Sequence, residues 1–151
     1  MKTKLPLYIF LALSLAFMGV QFTVNVIALN YDLVHLFFGF AMPFLAGFFP
    51  AHLFRWNGWS KLPLNYGWDG YAWSPKVAVA VTLTMSFINE AITDPKYNDI
   101  PFIQAWHHFA IDITGMVLFT ALYLALLKPY FVRDHQRRVV QTSPAHGSPP
   151  K

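Results

Sequence analysis

Four long apolar stretches set the main constraint on how this chain folds. They run over residues 5–29, 33–54, 77–92 and 102–127. A helix needs about 20 mostly apolar residues to cross a bilayer, and the first, second and fourth stretches meet that length. The third is shorter and covers roughly 24 Å at about 1.5 Å per residue, so flanking residues must help it to span. The sequence therefore predicts an all-α membrane domain, residues 1–128, built as a bundle of four transmembrane helices.

The composition agrees with a bilayer location. Only 12% of the residues are charged and 56% are hydrophobic, whereas soluble domains carry about 25% charged residues. This scarcity of charge argues against a soluble enzyme or a disordered chain. The absence of cysteine excludes disulfides, thiolate metal sites and covalent haem attachment. No phosphate-cradling glycine loop or nucleic-acid module is present, so we expect the lipid bilayer as a partner and no nucleic acid.

The basic residues predict the orientation of the helices. With the N-terminus in the cytoplasm, ten of the eleven Lys and Arg residues lie inside and only Lys96 lies outside, which is a strong positive-inside pattern. An even number of spans keeps both termini cytoplasmic. The N-terminal apolar run resembles a signal peptide, but it is longer than the usual 7–15 residues. We therefore expect the first helix to be retained.

Two segments lie outside the predicted helices. Residues 55–75 are rich in Trp and Tyr, a composition more typical of an aromatic belt at the headgroup level than of a binding loop. Residues 129–151 are basic and then rich in Ser and Pro. We expect this second segment to be a disordered cytoplasmic tail that touches anionic lipid.

Polar side chains recur on one face of each predicted helix. Ser86 and Glu90 are four residues apart on the third helix, as are His108 and Asp112 on the fourth, and this spacing places side chains on one face. Ionisable groups are costly in hydrocarbon, so they face the bundle interior and mark function by default. With the N-terminus inside, they meet at the outer end of the bundle. The candidate polar site is therefore Asp32, His35, Glu90, His108 and Asp112.

Most of these residues also have a structural interpretation. Asp32 suits the N-cap of the second helix, His35 could hydrogen-bond a neighbouring helix, and Glu90 could lie exposed at a helix end. Asp112 is harder to explain in this way, because it lies about 13 Å along its helix. A carboxylate at that depth must be paired, protonated or facing a wet cavity.

Three short motifs frame this candidate site. Tyr-Asp-x-x-His opens the second helix at residues 31–35, Glu90 follows on the third helix, and Asp112 lies within residues 106–115 of the fourth. Their order resembles the VanZ-like family of small bacterial inner-membrane proteins. The resemblance covers about residues 31–120. It implies a multi-pass protein of the bacterial inner membrane whose site combines Asp, His and Glu.

Two spacings differ from that family. His35 follows Asp32 by three residues, one fewer than the family shows. His108, Asp112 and Gly115 stand where the last helix of the family reads Asp, Asn and Gly. The family has no sharply defined activity, so the function has to be argued from the site residues themselves.

Several functions are compatible with such a site. It could bind a lipid head group or another envelope component at the outer leaflet, or it could only hold helices together in a structural or assembly subunit. His35, Glu90, His108 and Asp112 could also bind a divalent metal that activates water in an intramembrane hydrolase. Haem b between His35 and His108 is a further alternative. A proton pathway is disfavoured, because the polar groups stop at mid-depth.

Overall fold

The computed structural model describes residues 4–26, 30–49 and 73–133, and every regular element within these ranges is a helix. This confirms the all-helical prediction for the described part of the chain. Two helices contain or lead into a π turn, which has one more residue than an α turn. The helices are α1 (Leu5–Val24), α2 (Tyr31–Ala46), α3 (Pro75–Tyr97) and α4 (Phe102–Leu122), with π turns at Asn89–Thr93 in α3 and Tyr123–Leu127 after α4.

Three helical stretches are long and apolar enough to cross a membrane: Leu5–Val24, Pro75–Tyr97 and Phe102–Arg133. By length and composition, these helices indicate a bilayer environment. The helix α2 is also apolar but has only 16 residues. The predicted second helix ran to residue 54, whereas α2 ends at Ala46 and residues 47–49 form a turn; residues 50–54 lie outside the described ranges.

Helix α1 presents a largely exposed apolar surface. Leu15 is 67% exposed and Phe22 is 84% exposed, as expected for side chains that face lipid. The helix ends at Asn25, whose positive φ of 53° breaks the helical backbone. Phe17 stacks on Phe37 of α2 with 4.2 Å between ring centroids, and this pair connects α1 to the rest of the bundle.

Helix α3 is longer than the sequence suggested. The prediction ended it at residue 92, whereas the helix continues to Tyr97 and has 23 residues. The π turn explains the difference, because its wider winding lets the helix pass through Asp94 and Pro95 without ending. The Thr93 hydroxyl donates to the Ile88 carbonyl at 3.1 Å and so offsets part of the cost of the irregular turn.

The π turn also keeps one line of residues buried along α3. In an α-helix each step of four residues turns about 400°, so such a line drifts by about 40° per step around the helix. The extra residue of a π turn reduces this drift. The buried line consequently runs through Ala78, Thr82, Ser86, Glu90 and Asp94.

Helices α2 and α4 touch through their backbones. A Cβ atom on Gly39 would collide with the main-chain carbonyl of Asp112, and one on Gly115 would collide with the carbonyl of Leu36 and approach the Phe40 nitrogen to 2.7 Å. Two glycines thus let the helices approach to direct main-chain contact, as small residues do in membrane bundles. This crossing brings the polar faces of α2 and α4 together.

The chain divides into two compact units at Phe119 and Thr120. All the predicted site residues belong to the first unit. The described residues of the second unit, Thr120 to Arg133, are helical. The predicted tail from residue 134 and most of the aromatic segment, residues 55–72, lie outside the described ranges.

Candidate functional site

Three buried side chains from three helices converge near the start of α2 and α4 and toward the end of α3. His35 comes from α2, Glu90 from the π turn of α3 and His108 from α4. Their exposed fractions are 6%, 1% and 3%. One ligand-type atom of each residue lies within 4.8 Å of those of the other two. This His-Glu-His group is called the His/Glu triad below.

Each member of the triad carries one buried polar atom without a hydrogen-bond partner in the described part of the chain. These atoms are His35 Nε2, Glu90 Oε2 and His108 Nδ1. The only other such side-chain atom there is the Thr82 hydroxyl, eight residues before Glu90. Buried polar atoms are normally paired, since an unpaired one costs about 1–3 kcal/mol. Three such atoms in one group of converging side chains are compatible with a site for a ligand.

Two other polar atoms of the triad have partners. Glu90 Oε1 accepts a hydrogen bond from Asn89 Nδ2 at 2.8 Å, and His35 Nδ1 lies 3.2 Å from Asp112 Oδ1. These contacts orient the Glu90 carboxylate and the His35 ring. The free oxygen of Glu90 and Nδ1 of His108 are 3.6 Å apart, which is too long for a good hydrogen bond.

The same separation suits two ligands of one metal ion. With bonds of about 2.0–2.2 Å, neighbouring ligand atoms of tetrahedral Zn²⁺ lie about 3.3–3.6 Å apart. His108 Nδ1 and Glu90 Oε2 already have this spacing, at 3.6 Å. The buried triad could therefore hold a metal ion.

Asp112 joins all three helices of the site. It is fully buried, its Oδ1 faces the His35 ring, and its Oδ2 accepts a hydrogen bond from Ser86 Oγ at 2.6 Å. Its backbone lies against Gly39. The side chain that was hardest to explain from the sequence is thus held by α2 and α3 while projecting from α4, beside the triad.

Asp94 is a fifth buried ionisable group that sequence reasoning did not place in the site. It is 4% exposed, its carboxyl faces that of Glu90, and Asn98 donates to it at 2.7 Å. It was missed because the predicted helix ended before it and because Pro95 signals a helix boundary. The four-residue spacing from Ser86 and Glu90 was the available signal.

The charge of the cluster favours a cation. The buried ionisable residues comprise three carboxylates and two imidazoles, while every Lys and Arg within the described ranges is exposed. Facing carboxylates are both acceptors when ionised and do not satisfy each other. Buried charge is stable only when it is paired or neutralised by protons, and a bound cation is one way to offset the negative charge of ionised carboxylates here.

Asp32 lies apart from this cluster. Its carboxylate contacts His107 Nε2 at 3.3 Å, and both side chains are about half exposed, at 47% and 59%. The structure thus brings together four of the five predicted residues, namely His35, Glu90, His108 and Asp112, and leaves Asp32 in a separate exposed pair. Tyr31 is edge-on to both histidine rings of the triad, with centroid distances of 4.8 and 5.3 Å.

The two histidines do not fit a haem. Their rings lie face to face, with centroids 4.4 Å apart and planes tilted by 12°. Axial ligands of one haem iron must instead direct a nitrogen at the metal from opposite sides of the porphyrin. The stacked pair leaves no space for the macrocycle between the rings.

Comparison with known proteins adds no assignment. No protein-family model matches the chain, and neither curated proteins nor solved structures give a significant match.

Proposed function

We propose that this chain is an integral membrane protein that binds one divalent metal ion inside its helix bundle, with His35, Glu90 and His108 as ligands. The observation that carries this proposal is the buried His/Glu triad, whose ligand-type atoms lie within 4.8 Å of one another and each of whose residues has a buried polar atom without a hydrogen-bond partner among the described residues. A metal ion could bind the unpaired atoms of Glu90 and His108, which lie 3.6 Å apart, together with a ring nitrogen of His35. It would also offset the buried negative charge of the neighbouring carboxylates.

The donor set favours a transition metal. Two imidazoles and one carboxylate suit Zn²⁺ and related first-row ions, whereas Mg²⁺ and Ca²⁺ prefer oxygen ligands alone. Three protein ligands leave a further coordination position, which is typical of catalytic rather than structural zinc sites. The site is therefore compatible with water activation in a metal-dependent hydrolase.

The topology proposed from the sequence places this metal near the outer surface of the membrane. Four spans with both termini in the cytoplasm put the start of α2, the end of α3 and the start of α4 on the outer side. The resemblance to the VanZ-like family supports a location in the bacterial inner membrane. A metal at this level could contact the phosphate or carboxylate of a lipid head group or envelope component.

A second candidate is a structural role without a metal. The contacts of Asp112 with Ser86 and His35 support it, because they connect three helices in the interior of the bundle. On that view the polar cluster stabilises helix packing, as interhelical hydrogen bonds do in membranes. The two candidates differ in whether the protein binds metal in stoichiometric amount.

Adjacent histidines on α4 provide a matched test. Full-length protein in detergent micelles is stripped with a chelator, dialysed against Zn²⁺ and analysed for bound metal by mass spectrometry. We expect about one Zn²⁺ per wild-type chain, retained in His107→Ala and lost in His108→Ala. Histidines outside the described ranges also offer imidazoles, so the difference between the two variants is the decisive quantity.

Two outcomes would overturn the proposal. One is a wild-type protein that retains no more Zn²⁺ than His108→Ala does. The other is equal loss of metal from both variants. If neither the wild type nor the variants bind Zn²⁺ while His108→Ala lowers the unfolding temperature, the structural role is favoured instead.

A further inference from the structure

We propose that Asp112 is a positioning residue that selects Nε2 of His35 as the atom that binds the metal. This inference rests on the proposed metal site and specifies how one ligand is prepared for it. A metal-binding histidine usually donates its other ring N–H to a carboxylate or carbonyl, which fixes the tautomer and the ring orientation. Asp112 is placed to accept that hydrogen bond.

The distances around the His35 ring distinguish its two nitrogens. Nδ1 lies 3.2 Å from Asp112 Oδ1 and 3.6 Å from Glu90 Oε1, so Asp112 is the better acceptor of the Nδ1 proton. Glu90 Oε1 already accepts from Asn89. Nε2 has no partner among the described residues. A proton on Nδ1 leaves the lone pair on Nε2, which is the atom that is free to bind a metal.

The Asp112 carboxylate is itself held in place. Ser86 Oγ donates to Oδ2 at 2.6 Å, which leaves Oδ1 facing His35. Behind it, the main chain of Asp112 rests against Gly39, one turn after His35 on α2. The His35 and Asp112 backbones are therefore fixed relative to each other by a direct contact between their helices. The two side chains are therefore held in contact by the positions of their helices.

The exposed Asp32–His107 pair provides a control with the same chemistry. Its carboxylate and imidazole are 3.3 Å apart, close to the spacing of the Asp112–His35 pair, but it lies outside the triad. Asp32→Asn and Asp112→Asn thus remove the same charge from the same kind of pair. Only the second change removes a direct partner of a histidine of the metal site.

The first measurement is the zinc affinity of full-length protein in detergent, determined by competition with a chelating dye. We expect Asp112→Asn to weaken Zn²⁺ binding about 10- to 100-fold, the usual effect of losing such a supporting carboxylate, and Asp32→Asn to leave it unchanged. Equal affinity of wild type and Asp112→Asn would contradict the inference even if the metal site itself is correct.

The second measurement reads the tautomer directly and needs no metal. ¹⁵N-histidine-labelled, metal-free protein is examined by NMR at a pH of about 8.5, where free imidazole is neutral; His35→Gln identifies the His35 signals. We expect His35 in the wild type to carry its proton on Nδ1, and Asp112→Asn to shift the population toward Nε2–H.

The tautomer measurement separates this inference from the proposal of a metal site. If the wild type binds no Zn²⁺ but His35 still carries its proton on Nδ1, the proposed function fails and the role of Asp112 stands. A wild-type His35 with its proton on Nε2 overturns the inference whatever the metal content. The wild-type spectrum also decides the question if Asp112→Asn does not accumulate as folded protein.

Discussion

Gly39 and Asp112 are in main-chain contact across the crossing of α2 and α4: a side chain on Gly39 would occupy the position of the Asp112 carbonyl. Because His35 lies one turn before Gly39, this contact also sets the distance between His35 and the Asp112 carboxylate. Helix packing and site geometry are thus determined by the same pair of residues. Four predictions follow from this arrangement and its surroundings.

Gly39→Ala should destabilise the protein and disturb the site. The added methyl group would force α2 and α4 apart, and overpacking of this kind typically costs about 1–3 kcal/mol. Thermal unfolding in detergent, followed by circular dichroism, measures the effect. Gly19→Ala on α1 is the control, because no atom lies within 4 Å of the new Cβ. Equal unfolding temperatures for the two variants would contradict the close approach.

Ser86→Ala should lower stability more than Thr84→Ala does. Ser86 donates to the buried Asp112 carboxylate, and loss of a donor to a buried acceptor costs about 1–3 kcal/mol. The Thr84 hydroxyl only donates to the carbonyl of Ala80, at an exposed position on the same helix. The free energy of unfolding of both variants provides the comparison, and equal losses would be inconsistent with the Ser86–Asp112 hydrogen bond.

Tyr31→Ala should make a bound metal easier to remove. The Tyr31 ring contacts both His35 and His108 and is itself 46% exposed, so it separates the histidines from the surroundings. We expect faster extraction of Zn²⁺ by a chelator from Tyr31→Ala and a near-normal rate from Tyr31→Phe, which keeps the ring. Tyr97→Ala removes an exposed tyrosine outside the triad and should behave as wild type. An unchanged rate in Tyr31→Ala would show that metal leaves by another route.

Single cysteines should report the proposed topology. The chain contains no cysteine, so Lys4→Cys, Lys96→Cys and Arg133→Cys each introduce one exposed thiol. In intact cells, a membrane-impermeant maleimide should label Lys96→Cys only. Lys4→Cys and Arg133→Cys should react after permeabilisation. Labelling of Lys4→Cys and Arg133→Cys on opposite sides would instead indicate an odd number of spans.

Helical periodicity explains why the sequence predicted most of the site. Glu90 lies four residues after Ser86, and Asp112 four residues after His108, so each pair shares a helix face. The cost of burying ionisable groups in lipid then directs those faces inward. These two rules were enough to select the triad and Asp112 without knowledge of the helix crossing.

Other features depend on information that periodicity does not contain. The π turn at Asn89–Thr93 has no simple sequence pattern, so the extension of α3 and the burial of Asp94 were not predicted. Asp32 lies at the start of α2, and the predicted topology put it at the same membrane depth as the other site residues. Its side chain instead contacts His107. Which face of α2 packs against α4 depends on how the two helices cross, and the close contacts at Gly39 and Gly115 set that crossing.

The backbone contact between α2 and α4 has a consequence for the choice of ion. His35 and His108 are carried by two helices that cannot approach more closely, so the span between their rings has little freedom to adapt. Glu90 stands on the π turn of α3, which is the irregular part of the site. We therefore expect α3 to discriminate between smaller and larger cations, because the position of its single carboxylate can adjust to the ion. The pair of histidines would contribute little to this choice.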